Sequence, residues 1–287
     1  MIGKTRQTRA ADVEEVFDAE VGQARGMLRR NLAAGKMWHS RRKPAADLAG
    51  WIAHYWSIRW DLGGCPAYTA ESLPHPNVHL IFENGEAVIA GVQTHKFHRV
   101  IEGQGQVFGV KFRAGGFRPF YNAAVSKLAD RVVPAREIFG EDLKALEGIA
   151  FSECRENEKV EAANKFFHAR MPAPDGNVAL AGRLVERILR EPEIRTVDDL
   201  ARDAGMGARS LQRLFSEYVG ATPKWVIRRY RLHELIERFN SGEKLGFAQL
   251  AVDLGYFDQA HLINDFRAMA GFSPLEYRKL IAKSERS

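Results

Sequence analysis

Between residues 197 and 280 the sequence states one segment twice. Val197-Asp-Asp-Leu-Ala-Arg-Asp-Ala-Gly205 aligns with Phe247-Ala-Gln-Leu-Ala-Val-Asp-Leu-Gly255 at an offset of 50 residues, and both copies share a Leu-Ala pair and a closing glycine. After one inserted residue the correspondence continues, pairing Leu211 with Leu262, Phe215 with Phe266, Gly220 with Gly271 and Pro223 with Pro274. A repeat of this kind is one supersecondary unit used twice. Each copy reads as a short helix, a turn opened by a glycine, and a second helix ending before Gly220 or Gly271, which is the order of a helix-turn-helix. The glycine suits the sharp reversal because it alone adopts left-handed backbone cheaply.

In the second helix of the first copy Leu211, Leu214 and Phe215 face inward and leave Arg209, Ser210, Gln212 and Arg213 outward. That outward set has major-groove chemistry: arginine can bond guanine in bidentate fashion, and glutamine can do so with adenine. In the second copy Leu262 and Phe266 face inward, while Asp258, Gln259, His261, Ile263 and Asn264 are the outward candidates. This face is poorer in positive charge, so weaker or more hydrocarbon-mediated base contact is expected of it. Thr222-Pro223 and Ser273-Pro274 read as N-cap and first-turn pairs. Pro223 then opens a spacer helix to about Phe239 with the stripe Val226, Ile227, Tyr230, Leu235, Ile236 and Phe239. Such a spacer suits two recognition helices entering successive turns of the major groove, about 34 Å apart. Lys224, Arg228, Arg229 and Arg231 lie near its start, and the first three are the expected phosphate contacts.

These residues carry a resemblance. From about 178 to 280 the chain resembles the AraC/XylS-type DNA-binding domain, most closely over Phe247-Ala-Gln-Leu-Ala-Val-Asp-Leu-Gly-Tyr-Phe-Asp-Gln-Ala-His-Leu-Ile-Asn-Asp-Phe-Arg267 and Gly271-Phe-Ser-Pro-Leu-Glu-Tyr-Arg278. The resemblance implies a bacterial-type transcription regulator whose base-reading positions fall on Arg209, Gln212, Arg213, Gln259 and His261. The chain departs from the signature at Asn264, where a basic residue is usual. From about 38 to 145 it is also similar to an uncharacterised N-terminal domain attached to such readers, notably in Leu73-Pro-His-Pro-Asn-Val-His-Leu80 and Gly109-Val-Lys-Phe-Arg-Ala-Gly-Gly-Phe117.

Ahead of the repeat the chain changes character. Val13, Val16, Phe17, Val21, Ala24, Met27, Leu28 and Leu32 recur at helical spacing and predict an amphipathic helix within 1–34, which either packs on its own domain or dimerises. Residues 35–150 are rich in glycine and aromatics, with extended-looking runs at 52–60, 78–82, 87–92 and 107–112. A helix and linker follow over 151–177. The Met171-Pro-Ala-Pro-Asp-Gly-Asn177 break precedes the helical domain of 178–287 and is the expected boundary between two self-sufficient cores. The predicted fold class is α+β: a β-rich N-terminal domain, then an all-α domain with two helix-turn-helix units joined by a spacer.

The β-rich part offers several readings. Trp51, Tyr55, Trp56, Trp60 and Phe82 form either an effector pocket or the domain's core. Trp56, His75, His79 and Arg113 are the effector-pocket candidates. Arg113, Gly115, Gly116 and Arg118 make either an anion-holding turn or a structural one. His75, His79, His95 and His98 invite a metal reading, but no carboxylate or cysteine completes a ligand spacing, so neither metal nor cofactor is expected. Cys65 and Cys154 form no C-x-x-C pair, and neither has the setting that activates a thiolate. With no paired carboxylates, Ser/His/Asp set or phosphate loop, no catalytic residue is assigned.

The 287 residues carry a formal charge of +6, which favours a polyanionic partner, and no apolar run approaches the roughly 20 residues of a membrane span. Two distant cysteines and no signal-peptide pattern point to the cytoplasm. The expected partners are double-stranded promoter DNA, RNA polymerase, a small-molecule effector and a second copy of the chain. The competing reading is an enzyme or repair protein that uses the same reader for targeting, with chemistry hidden in 38–150.

Overall fold

A computed structural model of the chain describes residues 8–10, 13–19, 21, 28, 36–243 and 246–284. Among the described residues ten strands precede the helical half: β1 (Thr8–Ala10), β2 (Val13–Phe17), β3 (Lys36–Arg42), β4 (Ile52–Asp61), β5 (Tyr68–Ser72), β6 (His79–Glu83), β7 (Glu86–Ala90), β8 (Phe97–Ile101), β9 (Gln104–Phe112) and β10 (Val132–Pro134). Eight of them form one sheet in the order β1-β2-β3-β4-β9-β6-β7-β10, and β5 and β8 pair separately as a ribbon. The N-terminal region is therefore β-rich and the C-terminal region helical, as the patterning predicts.

The amphipathic helix expected within 1–34 does not form where the chain is described. Val13–Phe17 is a strand, parallel to Met37–Arg41 of β3. Val-Glu-Glu-Val-Phe is too short to separate the two periods, and its β-branched and aromatic residues suit a sheet that offers a partner edge. Asp18 fixes the exit, accepting the Lys43 amide at 2.8 Å and pairing with Arg42 at 3.3 Å. Ala24, Met27 and Leu32 of that stripe lie outside the described residues.

Alternation along the strands gives the large sheet two faces. Tyr55, Leu80, Phe82, Phe108, Val110 and Phe112 point to one and are buried. Short helices α1 (Arg118–Tyr121), α2 (Arg136–Phe139) and α3 (Lys144–Ala150) follow β9, and the longer α4 (Glu156–His168) covers this face. Phe167 of α4 meets Phe112 with ring centroids 5.6 Å apart, and Phe139 meets Phe166 at 5.4 Å. Residues 151–168 thus belong to the β-domain's core, where burying large aromatic surfaces contributes most.

The helical half comprises α5 (Gly176–Arg190), α6 (Val197–Asp203), α7 (Ala208–Leu214), α8 (Pro223–Asn240), α9 (Phe247–Asp253), α10 (Gln259–Ala270) and α11 (Pro274–Ser284). The Met171–Asn177 break does not divide the hydrophobic interior. One buried cluster runs from Leu48, Phe112 and Phe117 through Val125 and Phe167 to Ala181, Leu184, Leu211, Phe215 and Val226. Gly115 and Gly116 permit this closeness: a Cβ on Gly115 would stand 3.0 Å from that of Ala181, and one on Gly116 would stand 2.2 Å from the Trp51 carbonyl oxygen. The Gly115–Gly116 turn is therefore structural. A second cluster, built on Leu232, Leu235, Ile236, Leu250, Leu262, Phe266 and Tyr277, holds the other unit.

Candidate nucleic-acid interface

Each repeat forms the expected pair of helices. In the first, Thr196 caps α6 through a reciprocal box: its Oγ1 accepts the Asp199 amide at 3.0 Å, and the Asp199 carboxylate accepts the Thr196 amide at 2.9 Å. Gly205 makes the turn at φ +61°, and α7 follows with Leu211 and Leu214 buried. The chain then widens into a π-helical turn over Phe215–Val219 and stops at Gly220, φ +88°. In the second, Gly255 turns at φ +69° between α9 and α10, and Gly271 ends α10 at φ +82°.

Arg209, Ser210, Gln212 and Arg213 are all exposed on α7, and Gln259, His261 and Asn264 are exposed on α10. Asp258 is the N-cap of α10 and accepts the His261 amide at 2.7 Å, so its carboxylate has a structural partner. The His261 ring meets Tyr256 edge-on at 5.2 Å and its Nε2 lies 3.4 Å from an Arg228 nitrogen. Phe257, immediately ahead of α10, is 93% exposed. Sequence reasoning passes over it because an apolar residue before an N-cap ordinarily packs back on its own helix.

Of the three phosphate candidates on α8, Lys224 is exposed. Arg228 is bound within the second unit, its Nε 3.2 Å from the Asp265 carboxylate. Arg229 cannot serve: it is only 1% exposed, donating to the Pro74 carbonyl oxygen at 2.7 Å and standing 2.9 Å from His75 Nδ1. The helical period explains this, because position 229 lies on the same side as Val226 and Leu232, the side packed inward. Burial lowers the Arg229 pKa to about 10. Arg195, which the repeat does not single out, joins the units by donating to the Asp253 carbonyl oxygen at 3.3 Å while its own carbonyl accepts from Arg231.

The four effector-pocket candidates do not converge. Trp56 and His79 meet across the sheet, with ring centroids 6.0 Å apart. His75 turns instead to Arg229. Arg113, beyond the end of β9, points outward, donating to the Ala49 carbonyl oxygen at 2.6 Å and pairing with Glu186 of α5 at 3.2 Å. Tyr55, Phe82 and Trp60 are core residues. Among the described residues no three or more His, Cys, Asp and Glu side chains are placed to hold a metal ion.

With both units built this way, comparison with known families is decisive. Residues 200–280 match the family described as Helix-turn-helix domain. The chain carries an AraC-type helix-turn-helix domain. That domain is a DNA-binding one. Residues 40–134, ahead of that AraC-type reader, match a Domain of unknown function (DUF6597). Solved structures similar to this chain include the C-terminal domain of AraT, a response regulator from Geobacillus stearothermophilus (22% identity, 34% of this chain and 81% of that one, TM-score 0.31). An AraC-type transcriptional regulator from Chromobacterium violaceum gives 23% identity over 37% of this chain and 97% of that one, TM-score 0.32. ToxT from Vibrio cholerae O395 gives 8% identity over 86% of this chain and 98% of that one, TM-score 0.39. No curated protein matches. Among the described residues no helix is long and apolar enough to cross a membrane.

Proposed function

We propose that this AraC-type regulator reads two successive major-groove segments of promoter DNA, α7 taking one and α10 the other. The observation that carries the reading is that the second helix of each unit bears an exposed polar set, Arg209, Gln212 and Arg213 on α7 and Gln259, His261 and Asn264 on α10. α8 spaces the two helices, and Lys224 at its start contacts phosphate, as Arg228 does on leaving Asp265. In this reading the N-terminal domain senses a small molecule in the cytoplasm and performs no catalysis, and RNA polymerase and a second copy of the chain are further partners. Cys65 and Cys154, the nucleophiles a repair activity would need, are both free and half-buried.

Genome-wide binding of the tagged protein, set beside a transcript profile of its deletion, tests this reading. Discrete promoter sites with two conserved segments about 10 base pairs apart are expected. Dispersed, sequence-independent occupancy contradicts it.

A further inference from the structure

The sheet face turned away from α4 carries a constellation that the reader does not use. In the strand register His54 lies opposite Lys111 and Lys111 opposite His79, so three basic side chains stand abreast on β4, β9 and β6. Direct cross-strand neighbours have Cβ atoms about 5 Å apart. One pair further along, Trp56 lies opposite Gly109 and covers it so closely that a Cβ there would meet the indole at 2.2 Å. The same face then turns apolar through Ile58, Val107 and Ile81, which cluster with Tyr68 and Ala70 of β5 and Ile101 of β8 at the edge of the face.

No acidic group among the described residues answers this basic set. The charges acting on Lys111, His54 and His79 are all repulsive and come from one another and from Arg41, His39 and Arg229. Burial first, and those cations second, bring Lys111 down to about 7, His79 to about 3 and His54 to about 2. Among the described side chains Glu83 stands at the far end of this face, opposite Glu86, and is paired with Arg99 of β8. Beside Lys111 the indole Nε1–H of Trp56 is buried with no acceptor. Buried donors are satisfied in nearly all folded proteins, and an orphan on the face of an ammonium that no described carboxylate pairs points to an acceptor that the described residues do not supply.

We infer that this face binds a small organic carboxylate, its oxygens taken by Lys111 Nζ and Trp56 Nε1–H beside His54 and His79, and its apolar body lying over Ile58, Val107 and Ile81. One ammonium among neutral imidazoles matches a monoanion, and the apolar continuation of the face excludes a compact, fully hydrated oxyanion. This rests on the reading of the N-terminal domain as a sensor and names what it senses. Lys111 feels the charge of Arg229, and His75 feels both, so an anion here acts on the contact that holds α8 to Pro74.

The test uses the full chain labelled with 15N-tryptophan and titrated with cyclohexanecarboxylate, its uncharged amide, or inorganic phosphate. The carboxylate is expected to shift the Trp56 indole N–H resonance, assigned through Trp56→Phe, and to raise Tm. The amide is expected to bind at least tenfold more weakly. Lys111→Met should lose at least tenfold in carboxylate affinity while its ligand-free Tm stays at or above that of the wild type, since the substitution removes a half-buried cation that no described carboxylate pairs. If Lys111→Met does not fold, the carboxylate and amide pair on the wild-type chain decides the same point. Equal binding of amide and carboxylate, unchanged affinity in folded Lys111→Met, binding of phosphate alone, or no indole shift at millimolar carboxylate overturns the proposal. A mobility shift with the carboxylate present separates the two readings: binding without a change in DNA affinity leaves the site standing and refutes its role as a sensor.

Discussion

Arg229 donates from Nε to the carbonyl oxygen of Pro74 at 2.7 Å, joining the middle of the spacer helix to a loop 155 positions earlier in the chain. A buried guanidinium persists only when its N–H groups are hydrogen-bonded, and here both partners, Pro74 and His75, belong to the β-rich domain. Trp225 makes a parallel link from Nε1 to the Thr94 carbonyl oxygen at 3.3 Å. The helix that spaces the two readers is thereby also the helix that the N-terminal domain grips.

Arg229→Ala should destabilise the chain by about 2–4 kcal/mol, because it opens a cavity and orphans a buried carbonyl. Lys224→Ala should leave stability within about 0.5 kcal/mol but weaken binding to all DNA sequences alike and reduce the salt slope by about 1. Chemical denaturation and salt titrations of binding separate the two roles. Arg229 acting as a phosphate contact would show the Lys224 pattern.

The shared core alters what truncation does. A fragment of residues 174–287 loses half of the cluster that Ala181, Leu184, Phe215 and Val226 share with Val125 and Phe117. It should melt well below the full chain and aggregate. Protease cleavage between 171 and 176 should give two pieces that remain together on gel filtration. A soluble fragment as stable as the full chain contradicts the continuous interior.

The tandem units, their turn glycines and the run of α8 are legible in the sequence because a 50-residue repeat and helical spacing are local signals. Four of the strands, β4, β6, β7 and β9, are legible for the same reason. What stays hidden is set by partners distant in sequence. Val13–Phe17 becomes a strand because β3 offers it an edge, and Arg229 is buried because Pro74 and His75 lie over that side of α8. A basic residue on a helix looks alike in sequence whether it faces phosphate or a carbonyl. Likewise Lys111, His54 and His79 come together only through strand register.

That histidine cluster sets an acid limit. His39, His54 and His79 are held neutral by burial, with pKa values of about 3, 2 and 3. In the unfolded chain they take up protons near pH 6.5, so unfolding binds protons below that value and stability falls from pH 6.5 towards 3. Above 6.5 their contribution is constant, whereas Lys111, lowered to about 7, adds stability as pH rises from 7 towards 10.5. Tm measured against pH should show both limbs, and the double variant His54→Gln, His79→Gln should flatten the slope between 6.5 and 5. An unchanged slope contradicts the burial of these rings.

Two turn glycines should differ in cost. Gly205 has φ +61° with nothing near its missing Cβ, so Gly205→Ala should cost about 1 kcal/mol from backbone strain alone. Gly220 has φ +88°, and a Cβ there would stand 2.8 Å from Val125 Cγ1, so Gly220→Ala should cost about 2–4 kcal/mol. Equal losses in denaturant unfolding contradict the close approach of the first unit to the β-rich domain.

On the proposed reading the two exposed helix faces, on α7 and α10, take separate DNA segments. Site selection from a random duplex library, run on the wild type and on Arg209→Ala, Gln212→Ala, Arg213→Ala and Gln259→Ala, tests it most directly. The wild type should select two segments about 10 base pairs apart. Each α7 variant should relax preference in one segment only, by about 1–3 kcal/mol at the contacted pair, and Gln259→Ala should relax the other. Wild-type preference retained in both segments by all four variants contradicts base reading by these two helix faces.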